Sequence, residues 1–244
     1  MISVRRAAAR QLEPVAVPQH WHTFGSAKGT SAHDGPGFHV LEHLDEVQLP
    51  PDEELPHRSF ARAEWLTYVL EGSLSYEDER GQRGVLRAGG FQRVSSAANR
   101  RHREWNLSRT ENAHFFQCGL RASTETTPGH QERHFSVAAR RNVLCLVASP
   151  APARGILRFD QDARLYSACI DAGHHLVHEL TAGRVAWLHV IRGSVKVMEE
   201  ELIAGDGAAV SAERAVSVTA TEEAEVLLFD VGEHPTQAGN GVAV

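Results

Sequence analysis

Short apolar or alternating runs, each bounded by Gly, Pro, Asp or Asn, recur along the chain: "FHVLEHLDEVQL", "WLTYVLEGSLSYE", "AHFFQCGL", "VLCLVAS", "RLYSACI", "AWLHVIRGSVKV", "AVSVTA" and "EVLLFDV". Helical periodicity is scarce, whereas alternation of period two sends successive side chains to opposite faces of a strand. The pattern predicts an all-β chain. Its strands follow one another at the close spacing of a sandwich or barrel, not of strand–helix–strand units.

An internal echo organises these strands. "VLEGSL" at 69–74 has the shape of "VIRGSV" at 190–195, and each leads to a second pair, "LRAGGFQRVS" at 86–95 and "LIAGDGAAVS" at 202–211, that aligns without a gap. Gly72 and Gly89 lie 17 positions apart, Gly193 and Gly205 only 12, so the second copy has the shorter hairpin. Four anchors in one order predict duplication: a first domain over 1–120, a polar linker over 121–142, a second domain over 143–233 and a tail over 234–244.

Composition narrows the picture without naming a function. Of 244 residues 42% are hydrophobic, enough for a real core, and 31 acidic against 25 basic residues give a formal charge of −6. No direct nucleic-acid binding is expected, since the basic residues show only a local patch at Arg100, Arg101 and Arg103. Cys118, Cys145 and Cys169 are an odd number, far apart and without a C-x-x-C pair, which suits a reduced, cytoplasmic setting. No run of ~18 apolar residues and no signal-peptide core is present, so membrane insertion and export are disfavoured. Fifteen histidines are the unusual feature.

The motifs carry a resemblance. Paired domains with Gly-Ser after one strand and Ala-Gly before another are similar to cupins, and "WHTFGSA" (21–27), "YVLEGSLSYEDERG" (68–81), "RAGGFQRVSSAANRRHREWN" (87–106), "LVASP" (146–150), "QDARLYSA" (161–168), "AGDGAAVS" (204–211) and "AEVLLFDV" (224–231) resemble the pirin family of bicupins. The resemblance covers nearly the whole chain and implies two jelly-roll (double-stranded β-helix) barrels. In typical pirins it also implies a divalent transition metal such as Fe, Ni, Co or Cu in the first barrel, held by a His-x-His pair and a His-x-Glu pair. Residues i and i+2 of a strand face one side, which explains that spacing.

His102 and Glu104 in "RHREW" match the second pair. Counting back without a gap from Glu64 and Gly72 puts Arg58 and Phe60 where the first pair belongs; His57 falls one position early and is expected at the rim. A shifted register with three residues inserted would recruit His57, yet Leu55 then takes its partner's place. In the gapless register Arg58 would put a guanidinium in the cation's place, paired with Glu104, and Phe60 would fill the volume of an imidazole. The second barrel aligns Val218 and Ala220 with His102 and Glu104, so no ligand pair is expected there; His174, His175 and His178 read as a polar edge or loop.

No G-x-S-x-G or P-loop motif is present, and Cys118 reads as a core thiol. The expected reading is a pirin-like small-molecule-binding or regulatory protein without cofactor. Its pocket lies at the first barrel's mouth, lined by Arg58, Phe60, His102, Glu104 and Trp105, with the ligand unspecified. The first alternative is a metal-dependent quercetin 2,3-dioxygenase, with His57, His102 and Glu104 as ligands and Glu104 as base. The second is a transcription-related module with a protein partner.

Overall fold

The computed structural model describes residues 1–13, 18–24, 37–56, 58–60, 63–96, 100–121, 128–151 and 153–233, with 58–60, 63, 96, 100 and 101 described by backbone alone. Every run picked out by alternation forms a strand, including Leu41–Leu49, Ala63–Glu71, Ala113–Arg121, Ala163–Ile170, Arg184–Arg192 and Ala224–Gly232. The strands make two jelly rolls, each a seven-stranded sheet facing a four-stranded one. The paired sheets remain separate ladders, so each barrel is an open sandwich and not a closed cylinder.

The duplication is visible in the backbone. Gly72 and Gly193 hold left-handed φ values of 70° and 69°. A Cβ on Gly72 would lie 2.4 Å from the carbonyl oxygen of Asn112, and one on Gly193 2.0 Å from that of Glu223. Both turns press against the residue before an equivalent long strand, which is why only glycine fits either place.

Two segments differ from the sequence reading. Within 121–142, read as a linker, Gly129–His134 is an edge strand that pairs with Gly90–Ser96 and so extends the first barrel's large sheet. The helix Val137–Arg140 follows, with the Ser136 side chain accepting from Ala139 N at its start. "GHQERH" is polar on both faces, as edge strands often are, so alternation gave no signal. Near the N-terminus, Ile2–Arg5 pairs with Gly207–Val210 and belongs to the second barrel's sheet, although the strands Gln11–Leu12 and Gln19–Phe24 pair within the first.

Three apolar clusters follow from these layers. Outer faces of the two large sheets pack against each other through Leu44, Leu66, Phe116, Trp187, Leu227 and Phe229 among others. The second barrel is filled by Val, Ala and Leu side chains, Val218 and Ala220 included. The first barrel's interior cluster is smaller, with Val47, Leu49, Leu55, Val69, Leu74, Leu86, Ala113 and Phe115 at one end only. What fills the rest of that interior is polar. No helix among the described residues is long and apolar enough to cross a membrane.

Candidate functional site

Cross-strand register assembles the polar half of the first barrel. His102 and Glu104 stand opposite Asp78 and Tyr76 in the small sheet, and Gln117 stands opposite both Asp45 and Thr67 in the large one. Directly opposed residues share a face, so these side chains meet across the interior. The Gln117 amide donates to both oxygens of Glu104, at 3.0 and 2.8 Å. His102 Nε2 lies 3.5 Å from Glu104 Oε1, and both residues are buried, 6% and 4% exposed. The carboxylate is thus hydrogen-bonded where it would be costly to bury alone.

Beside this pair opens a cavity of about 280 Å³ lined by Tyr76, Asp78, Ser95, His102, Gly129 and His130 among others. The Tyr76 ring stacks on His102 at 5.8 Å and lies 5.2 Å from that of His130. His130 Nε2 is 3.2 Å from Glu132, and Gln92 Nε2 donates to Glu132 at 3.2 Å. The hydrogen bond from His130, with others from Tyr76 and Gln92, holds the Glu132 carboxyl down to about 2 against partial burial. Burial and the bond to Glu132 push the Tyr76 hydroxyl well above its ordinary value, so it stays a donor at neutral pH. Ring faces and fixed acceptors suit a flat, hydroxyl-bearing guest.

His57 lies outside the described residues. Arg58–Phe60 forms a strand antiparallel to Arg100–Trp105, with Arg58 opposite His102 and Phe60 opposite Arg100 in the backbone register; their side chains lie outside the description. Leu55 is 3% exposed within the first barrel's apolar cluster, its amide donating to the Glu104 carbonyl at 2.9 Å. Trp105 lies on the face of its strand opposite to Glu104, with the Arg103 guanidinium 5.0 Å above its ring, and is not among the cavity's lining residues. Cys118 is buried in the interface between the barrels, and burial pushes its thiol far up. His175 pairs with Thr219 and His178 with Asp230, so the histidines at 174, 175 and 178 do not converge.

The family's ion would take four donors from two i, i+2 pairs. Among the described residues His102 and Glu104 are present, while Leu55, which the shifted register makes the partner of His57, is apolar and buried. Those two side chains are the donors of that pattern among the described residues. Sequence reasoning missed Gln117, Tyr76, Gln92, His130 and Glu132, which reach the site only through pairings distant in sequence.

Two jelly rolls in tandem, the first with a polar mouth and the second with an apolar filling, define a bicupin. Residues 15–120 match the family described as Pirin, and residues 146–231 the Quercetinase C-terminal cupin domain. Quercetin 2,3-dioxygenase of Escherichia coli (strain K12) is 31% identical over 232 residues, covering 95% of this chain and 99% of that protein. A pirin-like protein of Caulobacter vibrioides is 29% identical, covering 78% of this chain and 83% of its own. Among solved structures, the bacterial pirin YhhW from Escherichia coli in complex with nickel(II) superposes with a TM-score of 0.88 at 31% identity, over 96% of this chain and all of that one. The chain belongs to the pirin family.

Proposed function

We propose that the first barrel's mouth binds a small hydroxylated aromatic molecule and that the protein acts through this binding, in a regulatory role, without the family's four-ligand metal centre. The observation that carries this is Leu55. A buried apolar side chain stands where the shifted register needs an imidazole, and the Glu104 carboxylate is already engaged by Gln117. The three thiols, free among the described residues, support a reducing cytoplasmic setting.

Titration of metal-stripped protein with quercetin, followed by oxygen uptake after adding ferrous, nickel, cobalt or copper ions, tests the reading. One-to-one binding without turnover is expected, weakened at least tenfold by His130→Ala. Turnover that depends on an added ion and disappears in His102→Ala would overturn it.

A second reading is favoured by the 31% identity to a quercetin 2,3-dioxygenase along 95% of the chain, together with the retained His102 and Glu104. There the chain would be a dioxygenase with His57, His102 and Glu104 as donors to a divalent metal. The same oxygen-uptake measurement separates the two.

A further inference from the structure

Two strands away from Gln117, on the same inner face of the large sheet, four ionisable side chains converge that take no part in the cavity. His20 and His22 are an i, i+2 pair on the strand Gln19–Phe24, opposite Val47 and Asp45 of the strand Leu41–Leu49. Glu13 follows the edge strand Gln11–Leu12, and its backbone amide donates to the His20 carbonyl at 2.9 Å, which brings it level with the first histidine. Strand parity thus sends Glu13, His20, His22 and Asp45 to one side.

Each imidazole stands between the same two carboxylates. His22 has Nδ1 2.8 Å from Asp45 Oδ1 and Nε2 3.2 Å from Glu13 Oε1. His20 has Nε2 3.3 Å from Asp45 Oδ2 and Nδ1 3.7 Å from Glu13 Oε2. The rings are 4.1 Å apart and tilted by 40°. One donor atom from each of Glu13, His20 and His22 lies within 4.8 Å of the other two.

We infer that Glu13, His20 and His22 form a binding site for a first-row divalent cation such as Zn²⁺, with Asp45 as the carboxylate that holds both rings from behind. In a tetrahedral zinc site with bonds of ~2.0–2.1 Å, neighbouring donors stand about 3.3 Å apart. Glu13 Oε1 lies 3.2 Å from His22 Nε2 and Glu13 Oε2 3.7 Å from His20 Nδ1, both near that value, and one donor atom from each of the three residues already lies within 4.8 Å of the others. A carboxylate on the far nitrogen of each ligating histidine fixes tautomer and ring angle, as Asp45 does for two rings at once. His20 and His22 are buried, whereas the Glu13 side chain keeps 25% exposure, which leaves an approach for the ion and a coordination position toward solvent. The donors lie on a different pair of strands from His102 and Glu104, so the site is separate from the position the family's ion would take.

Bound there, the ion would fasten the Gln11–Leu12 edge strand to the barrel. That strand continues the segment whose Ile2–Arg5 strand pairs with the second barrel, and whose Arg6 bonds Asp206 at 3.0 Å. The ion would therefore tighten the strap between the two domains.

The test uses the 244-residue chain carrying His174→Asn and His175→Asn, which removes the exposed histidine pair, after chelator treatment. Zn²⁺ is expected to bind with one equivalent by calorimetry and to raise Tm by roughly 5–10 °C at about a hundredfold excess over Kd. Co²⁺ should give the visible absorption bands of a nitrogen- and oxygen-ligated ion. Glu13→Gln and His20→Asn, whose metal-free melting checks that they fold, should each weaken binding at least tenfold and abolish the Tm rise. His102→Asn should leave both intact. Equal Zn²⁺ binding by folded His20→Asn and its parent would overturn the assignment, as would loss of binding in His102→Asn.

Discussion

Gln117 shows how one side chain can decide the character of a pocket. Its amide supplies two hydrogen bonds to a buried carboxylate, so a variant that keeps its bulk but removes the donors takes both of those bonds from Glu104. Gln117→Leu is expected to lose about 1.5–3 kcal/mol of stability in urea unfolding. The double variant Glu104→Leu, Gln117→Leu should recover part of that loss, because removing both partners of a buried hydrogen bond leaves fewer polar groups unsatisfied than removing one. His102 and Glu104 were legible in the sequence through strand parity. Gln117 was not, since "FFQCGL" reads as an apolar core strand and only its register against Thr67 and Asp45 shows which way the amide points. "HWH" at 20–22 carries the same i, i+2 signal as "HRE" at 102–104, but its second histidine lies within "WHTFGSA", where it reads as part of the resemblance and not as half of a ligand pair.

At the scale of elements, the paired glycines are the clearest link between sequence and fold. "EGS" and "RGS" announced equivalent turns, and the structure gives Gly72 and Gly193 almost the same φ and the same kind of carbonyl neighbour. Gly72→Ala and Gly193→Ala should each cost about 1–3 kcal/mol from backbone strain alone, with the contact adding to it. Gly81→Ala, whose Cβ would meet nothing within 4 Å, should cost less by the same denaturation assay. Alternation made the interior strands readable because each buries at least one apolar face. It failed for Gly129–His134, which borders the cavity through His130, exposes Arg133 and His134, and has no apolar side chain on either face to detect.

Across the whole molecule, the barrels are joined by apolar faces and by buried ion networks. Glu64 accepts from Arg93 at 2.6 Å and from the backbone amide of Asp160 at 2.9 Å, while Arg93 reaches Asp160 itself at 2.6 Å. Arg140 bonds Glu225 at 2.6 Å and both Tyr68 and Ser167 at 3.0 Å. Between these faces lies His189, fully buried, with neither ring nitrogen hydrogen-bonded. Burial lowers its pKa to about 4, nearby Arg10 adding to the effect and Glu46 and Asp206 opposing it. From pH 6.5 down to about 4 the unfolded chain therefore accepts a proton that the folded chain refuses, and stability falls as pH falls through that window. His189→Leu should lose this acid sensitivity. Its stability advantage over the parent should grow by up to ~3 kcal/mol between pH 7.5 and pH 4, read from urea midpoints.

The strand Ile2–Arg5 closes one margin of a sheet whose other residues begin more than a hundred positions later. A fragment starting at residue 143 would keep its own filling of Val, Ala and Leu yet present Gly207–Val210 as a naked ladder of amides and carbonyls on that side. Such a rim recruits strands from other copies, so a peptide spanning residues 1–10 should lessen the isolated half's self-association in light scattering, while the apolar face around Trp187, Leu227 and Phe229 sustains the remainder.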